Sequence, residues 1–246
     1  MIRFERYLGY RILETKMERP IIREYPGYEA CYLAFHPFLK IKEASKSKIQ
    51  FEFGRWPEKR SIVEHCDALS WSEFVRMSGI ESIQRVAYTL DWFHRSTDHG
   101  DRDDVDRLLD LLYSDEGIVA PQPDELPAII EKNLAQHLLS LGYETIALRV
   151  WSDDAPKAVD LNDLTGGNAV MLSNARITTP DGRYLIVTDF DCCHSYFLGS
   201  RMDIERLVQE LDLEGFYCTP ETTGSWSYCE VPPDKQVDWH YRSPAM

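Results

Sequence analysis

The sequence predicts an α+β protein in which a mostly antiparallel sheet carries a helical layer on one side. Three observations predict it. Short runs alternating apolar and polar residues, the mark of half-buried strands, gather near 28–53 and again over 143–229. Between them, residues 71–141 carry apolar side chains at helical spacing. Finally, the strand-like runs at 184–190 and 194–198 are joined by a tight turn, which suits antiparallel neighbours.

In order along the chain, residues 1–25 mix apolar and basic positions without a clean period and read as a basic arm with a short helix. From Tyr28, EACYLAFHPFLKI alternates until Pro37, which cannot donate to a strand ladder. IQFEFGRW sets Ile49, Phe51 and Phe53 against Gln50 and Glu52, predicting a strand over 49–53 that ends at Gly54. Ser70-Trp71-Ser72-Glu73 reads as a capping box, in which Ser70 accepts from the Glu73 amide and Glu73 bonds back. Gly79 supplies the left-handed turn that ends this short helix.

Ile83, Val86, Ala87 and Leu90 predict a helix over 82–95, and Val105, Leu108, Leu109 and Leu112 predict a second. Leu126, Ile130, Leu134, Leu138 and Leu141 predict a third, stopping at Gly142. The acidic run Asp101, Asp103, Asp104 lacks the central glycine and distal glutamate of a calcium loop and instead favours a helix start. Strands follow over 144–151 and within NAVMLSNARIT, then over 184–190, 194–198 and 215–218. Ser200 caps a helix over 201–211 whose buried side is Ile204, Leu207, Val208 and Leu211. An aromatic tail over 230–246 completes a single domain spanning 1–246.

No apolar run approaches the length of a membrane span, and the N-terminal residues scatter charges through any would-be signal core. A cytoplasmic protein with reduced cysteines is therefore expected; its six cysteines include no CxxC pair. The net charge of -14 is uneven: residues 1–60 carry 13 Lys/Arg and 8 Asp/Glu, the remainder 14 and 33. The acidic body, net -19, repels phosphates, which speaks against direct nucleic-acid binding; it either attracts a basic partner or substrate or serves solubility alone.

Chemistry is densest at Asp189, Asp191, Cys192, Cys193 and His194. In YLIVTDF, Tyr184, Ile186, Thr188 and Phe190 share one face, and Leu185, Val187 and Asp189 the other. The two aspartates serve either to hold turn amides, with His194 a satisfied polar residue, or to bind a divalent metal together with His194. Cys192 and Cys193 are read as small buried hydrophobes, against a nucleophile paired with His194 or a zinc site shared with Cys218 or Cys229. Trp226 and Tyr228 on the loop TPETTGSWSY, with Trp239 and Tyr241 in the tail, are either binding anchors or covers for the core.

YLAFHPFLKI, SWSEFVRMSGIESI and TDFDCCHSYFLGS followed by DLEGFYC together resemble a firmicute bacterial family defined by a domain of unknown function, DUF2711, from about Tyr32 to Trp226. The resemblance implies one co-folding unit in a bacterial cytosol; it brings no catalytic residue or ligand to carry over and leaves function open. In general character the chain is also similar to immunity proteins that neutralise bacterial toxins. The leading expectation is a non-enzymatic binding protein, immunity- or antitoxin-like, that needs no cofactor. It engages a basic protein, with Asp189, Asp191, His194, Trp226 and Tyr228 as candidate binding residues. The alternative is a metal-dependent hydrolase of a small substrate with Asp189, Asp191 and His194 as ligands or acid–base groups.

Overall fold

A computed structural model describes residues 19–47, 49, 56–95, 99–150, 154–165, 174–238, 240 and 241. The elements run α1 (Ile21–Glu24), β1 (Ala30–Phe35), β2 (Phe38–Ile41), α2 (Lys59–His65), β3 (Cys66–Leu69), α3 (Trp71–Ser78) and α4 (Ile83–Arg95). Next come β4 (Gly100–Asp101), α5 (Arg102–Leu112), β5 (Ile118–Val119), α6 (Ala128–Ser140), β6 (Thr145–Val150), β7 (Lys157–Asp160) and α7 (Leu161–Thr165). The chain closes with β8 (Ala175–Thr178), β9 (Leu185–Thr188), β10 (His194–Gly199), α8 (Arg201–Glu210), β11 (Gly215–Tyr217) and β12 (Gln236–Val237).

Seven strands form one antiparallel sheet in the order β11-β1-β10-β9-β8-β6-β7, so the α+β class with a largely antiparallel sheet stands. β1 and β10 are buried at every position, which only strands covered on both faces can be. Ala30, Tyr32 and Ala34 pack with Phe197, Ile186 and the apolar sides of α6, α7 and α8. Cys31, Leu33 and Phe35 pack on the opposite face with Tyr196, Trp71 and Phe74 of α3, and Val86 and Leu90 of α4. The helices therefore divide between two faces, where a layer on one side was expected. Central strands that are apolar at both parities are the physical reason, because one layer would leave half of those side chains in water.

Pro37 marks the place where the chain changes sheets: β2 pairs with β3 and β5 in a separate three-stranded sheet. Ile49, the part of the expected 49–53 strand that falls within the described residues, packs there with Leu39, Ile41 and Ile62. Residues 50–53, the first part of the 1–25 arm, residues 168–173 and Trp239 lie outside the described residues.

Local sequence chemistry explains several helix ends. The Ser70 hydroxyl accepts from the Glu73 amide at 3.1 Å, and Gly79 closes α3 at φ 69°. The reciprocal half of the capping box does not form. The Glu214 carboxylate, just before β11, takes the Trp71 and Ser72 amides at 2.5 and 2.9 Å, while Glu73 pairs with Arg76. Asp101 starts α5 by accepting from the Asp103 and Asp104 amides at 3.1 and 3.4 Å. The Arg85 guanidinium joins Asp101 and Asp104 at 2.8 and 2.6 Å, so this acidic run is structural. The C-terminal segment is stapled beside it by the β12–β4 pairing, a Lys235–Asp103 ion pair at 2.9 Å and a Tyr241–Asp106 hydrogen bond at 3.0 Å. No helix among the described residues is long and apolar enough to cross a membrane.

Candidate functional site

The β9–β10 hairpin presents the two faces the sequence predicts: Tyr184 and Ile186 enter one core, Leu185 and Val187 the other. β9 ends at Thr188, leaving Asp189 half-buried beyond it. Burial pushes the Tyr25 and Tyr196 phenols upward, and the Asp189 carboxylate adds to this in both. Phe190 stands 43% exposed at the tip. Asp191 is in the left-handed region at φ 56°, and its amide donates to the Asp124 carboxylate. Asp124, itself left-handed at φ 70°, donates its amide to the Cys192 carbonyl at 3.3 Å and accepts from the Asn174 amide at 2.7 Å. One aspartate that the motifs did not single out thus ties three segments together.

His194 is buried beside Tyr196 and Trp226. Its Nε2 lies 3.0 Å from the Tyr196 hydroxyl, and its ring meets the Trp226 indole edge-on at 6.0 Å. Among the described residues, no group of three or more His, Cys, Asp or Glu side chains is placed to hold a metal ion. The cysteines scatter as well. Cys192 and Cys193 are buried, and the Cys193 thiol points at the Pro121 carbonyl, 3.7 Å away. Cys218 sits beside Cys31, where a thiol–thiol hydrogen bond and burial push Cys31 well up. Cys229 lies near Arg85, and burial raises its thiol.

Beneath the turn runs a polar relay that sequence reasoning missed. His36 Nδ1 is 3.0 Å from the Gln122 carbonyl, which can only accept, so Nδ1 carries the proton. His36 Nε2 then accepts from the Ser195 hydroxyl at 2.8 Å, which leaves the Thr188 hydroxyl to donate to Ser195 at 2.7 Å. A serine beside a histidine is the geometry of an activated nucleophile. Here His36 and Ser195 are both 0% exposed. Burial lowers His36 to about 4, so its ring is neutral at pH 7. With the Trp71 indole donating to the His36 carbonyl at 2.7 Å, the relay anchors the chain where it changes sheets.

The second candidate region is the loop after β11. Trp226 stacks on Phe35 with centroids 5.4 Å apart and meets Phe216 edge-on at 5.3 Å. The loop is held by the Thr222 carbonyl accepting from the Ile21 amide at 2.9 Å. Gln84 of α4 donates to the Trp226 and Tyr228 carbonyls at 3.1 and 3.3 Å. Tyr228 remains 64% exposed, edge-on to Tyr88. These elements enclose an open concavity of about 630 Å³ walled by Phe35, Ile83, Gln84, Phe216, Glu221 and Trp226, with Gly215 and three threonines completing it. Among the described residues in that wall, Glu221 is the ionisable one. Behind Trp226 lies a space of about 10 Å³, the size of one water, beside His194 and Asp91. Of the five candidate residues, the structure brings His194 and Trp226 into contact and sets Tyr228 alongside, while Asp189 and Asp191 stay with the turn. Trp226 is both core cover and cleft wall.

A family model described as "Protein of unknown function (DUF2711)" matches residues 17–228. The chain belongs to this family. The match takes in the turn, the relay and the aromatic loop through Tyr228, and ends before the segment carrying β12. No curated protein and no solved structure matches the chain. For this DUF2711 protein, geometry is what speaks to function.

Proposed function

We propose that this DUF2711 chain is a non-catalytic binding protein that engages a basic protein through acidic and aromatic side chains around Trp226. The observation that carries the reading is the open concavity of about 630 Å³ walled by Phe216 and Trp226 with Glu221 at its side. Aromatic faces attract lysine and arginine, and a neighbouring carboxylate adds to that attraction. The net charge of -19 beyond residue 60 steers a cationic partner toward the surface. An immunity- or antitoxin-like role is one form this binding takes.

The test is affinity capture from an extract of the source cells at low and at moderate salt. Wild type is expected to retain a basic protein at low salt and less of it at moderate salt, with Glu221→Lys retaining little at either. Recovery of no basic protein at either salt overturns the proposal.

A further inference from the structure

We infer that the partner docks as an extended segment, adding a strand along the outer edge of β11, which among the described residues pairs only with β1, and laying its cationic side chains along the concavity. The inference rests on the binding reading above and names its mode. β11 is the terminal strand of the seven-stranded sheet. The Phe35 amide bonds to the Glu214 carbonyl at 2.8 Å and the Cys218 amide to the Cys31 carbonyl at 2.9 Å. Antiparallel pairing alternates, so Leu33 and Phe216 form the hydrogen-bonded pair between them. Gly215 and Tyr217 therefore turn their amide and carbonyl groups away from β1, and among the described residues no hydrogen bond is made to them. Such an edge is a template for another strand.

The two edges of the sheet differ in how they meet solvent. β7 begins with Lys157 directly after Pro156, the residue types that discourage strand addition. β11 is Gly-Phe-Tyr and has neither. At Gly215 a Cβ would meet the Leu33 carbonyl at 1.9 Å, so this position stays a glycine and leaves bare backbone beside the cleft. Phe216, on the same strand, projects into the aromatic wall, so one incoming segment touches both edge and cleft. The wall holds a carboxylate and, among the described residues, no lysine or arginine, which selects a basic segment over an acidic one.

The test uses the full chain and a fluorescein-labelled nonapeptide of alternating lysine and valine. Two controls replace lysine by glutamate, or N-methylate alternate backbone amides. Anisotropy is expected to show binding of the lysine peptide and about tenfold or greater weakening for each control, the size of one or two lost contacts. Hydrogen exchange at the Gly215 and Tyr217 amides is expected to slow on binding. Tyr217→Pro, which removes an outward donor, and Glu221→Lys on the exposed loop should each weaken binding similarly. Equal affinity for the N-methylated peptide, or unchanged exchange at 215 and 217, overturns strand addition. If lysine-peptide binding is still lost in Glu221→Lys, the binding proposal survives that result. A dimer in sedimentation that Tyr217→Pro dissolves also overturns the inference, because it assigns the edge to a second copy of the chain.

Discussion

The 189–194 turn and the 219–228 loop both concentrate polar and aromatic residues, and they use them in opposite ways. At the turn the chemistry faces inward: Asp124 holds the Asp191 amide, and Thr188, Ser195 and His36 relay hydrogen bonds to Gln122. At the loop it faces outward: Tyr228 is exposed, Trp226 walls an open concavity, and the β11 edge meets that space. Dense chemistry in a sequence therefore marks where a fold must satisfy buried groups as readily as where it meets a partner.

The largest effect is expected at His36. His36→Ala removes a fully buried ring and leaves the Ser195 hydroxyl and Gln122 carbonyl without their partner, which costs about 3 kcal/mol in urea unfolding. Glu221→Lys at the open loop should stay within about 0.5 kcal/mol of wild type. Equal midpoints for the two variants would contradict the contrast.

Acid sharpens it next. His36 is held at about 4, below its ordinary 6.5, so the unfolded chain binds the extra proton and stability falls as pH drops from 6.5 to 4. Glu131 on α6 does the reverse. It pairs with Lys59 at 2.5 Å, yet burial outweighs that attraction and lifts its carboxyl from 4.5 to about 7. The close pair favours a charged Glu131, but a side chain only 3% exposed makes the upward direction the firmer one. The folded state then binds the extra proton, and stability rises as pH falls from 7 to 4.5. Each contribution is at most about 3 kcal/mol, so wild type should show a nearly flat profile between them. Glu131→Gln should unmask the His36 loss, with the urea midpoint dropping on acidification from pH 6.5 to 4.5. A midpoint that instead stays level in this variant would remove His36 as a buried neutral ring.

Smaller effects follow at the turn itself. Asp124→Ala should cost about 1–2 kcal/mol through the lost bond to the Asp191 amide. Asp191→Gly should be neutral or gain up to about 1 kcal/mol, since φ 56° suits glycine better than aspartate. Thermal melts of the pair separate hydrogen bonding from backbone strain.

Much of this fold was legible because its signals are local. Ser70, Gly79, Asp101 and Ser200 end or start helices as their chemistry predicts, and the apolar parity of β9 divides between the two cores as read. What escaped is long-range. Glu214 caps α3 from 143 residues away, and the His36–Ser195 bond spans 159 residues. No spacing rule joins such positions, and the division of helices over two faces depends on which strands become central. The candidate site was half legible. Trp226 and Tyr228 stand out as loop aromatics, whereas the position of β11 at the end of the described sheet depends on strand order.

The most direct measurement is capture of the basic partner by three forms of the chain side by side: wild type, the cleft variant Glu221→Lys, and the turn variant Asp191→Gly. The turn variant is expected to retain the partner as wild type does, while the cleft variant loses it. Retention by Glu221→Lys together with loss by Asp191→Gly would contradict that expectation and return function to the turn.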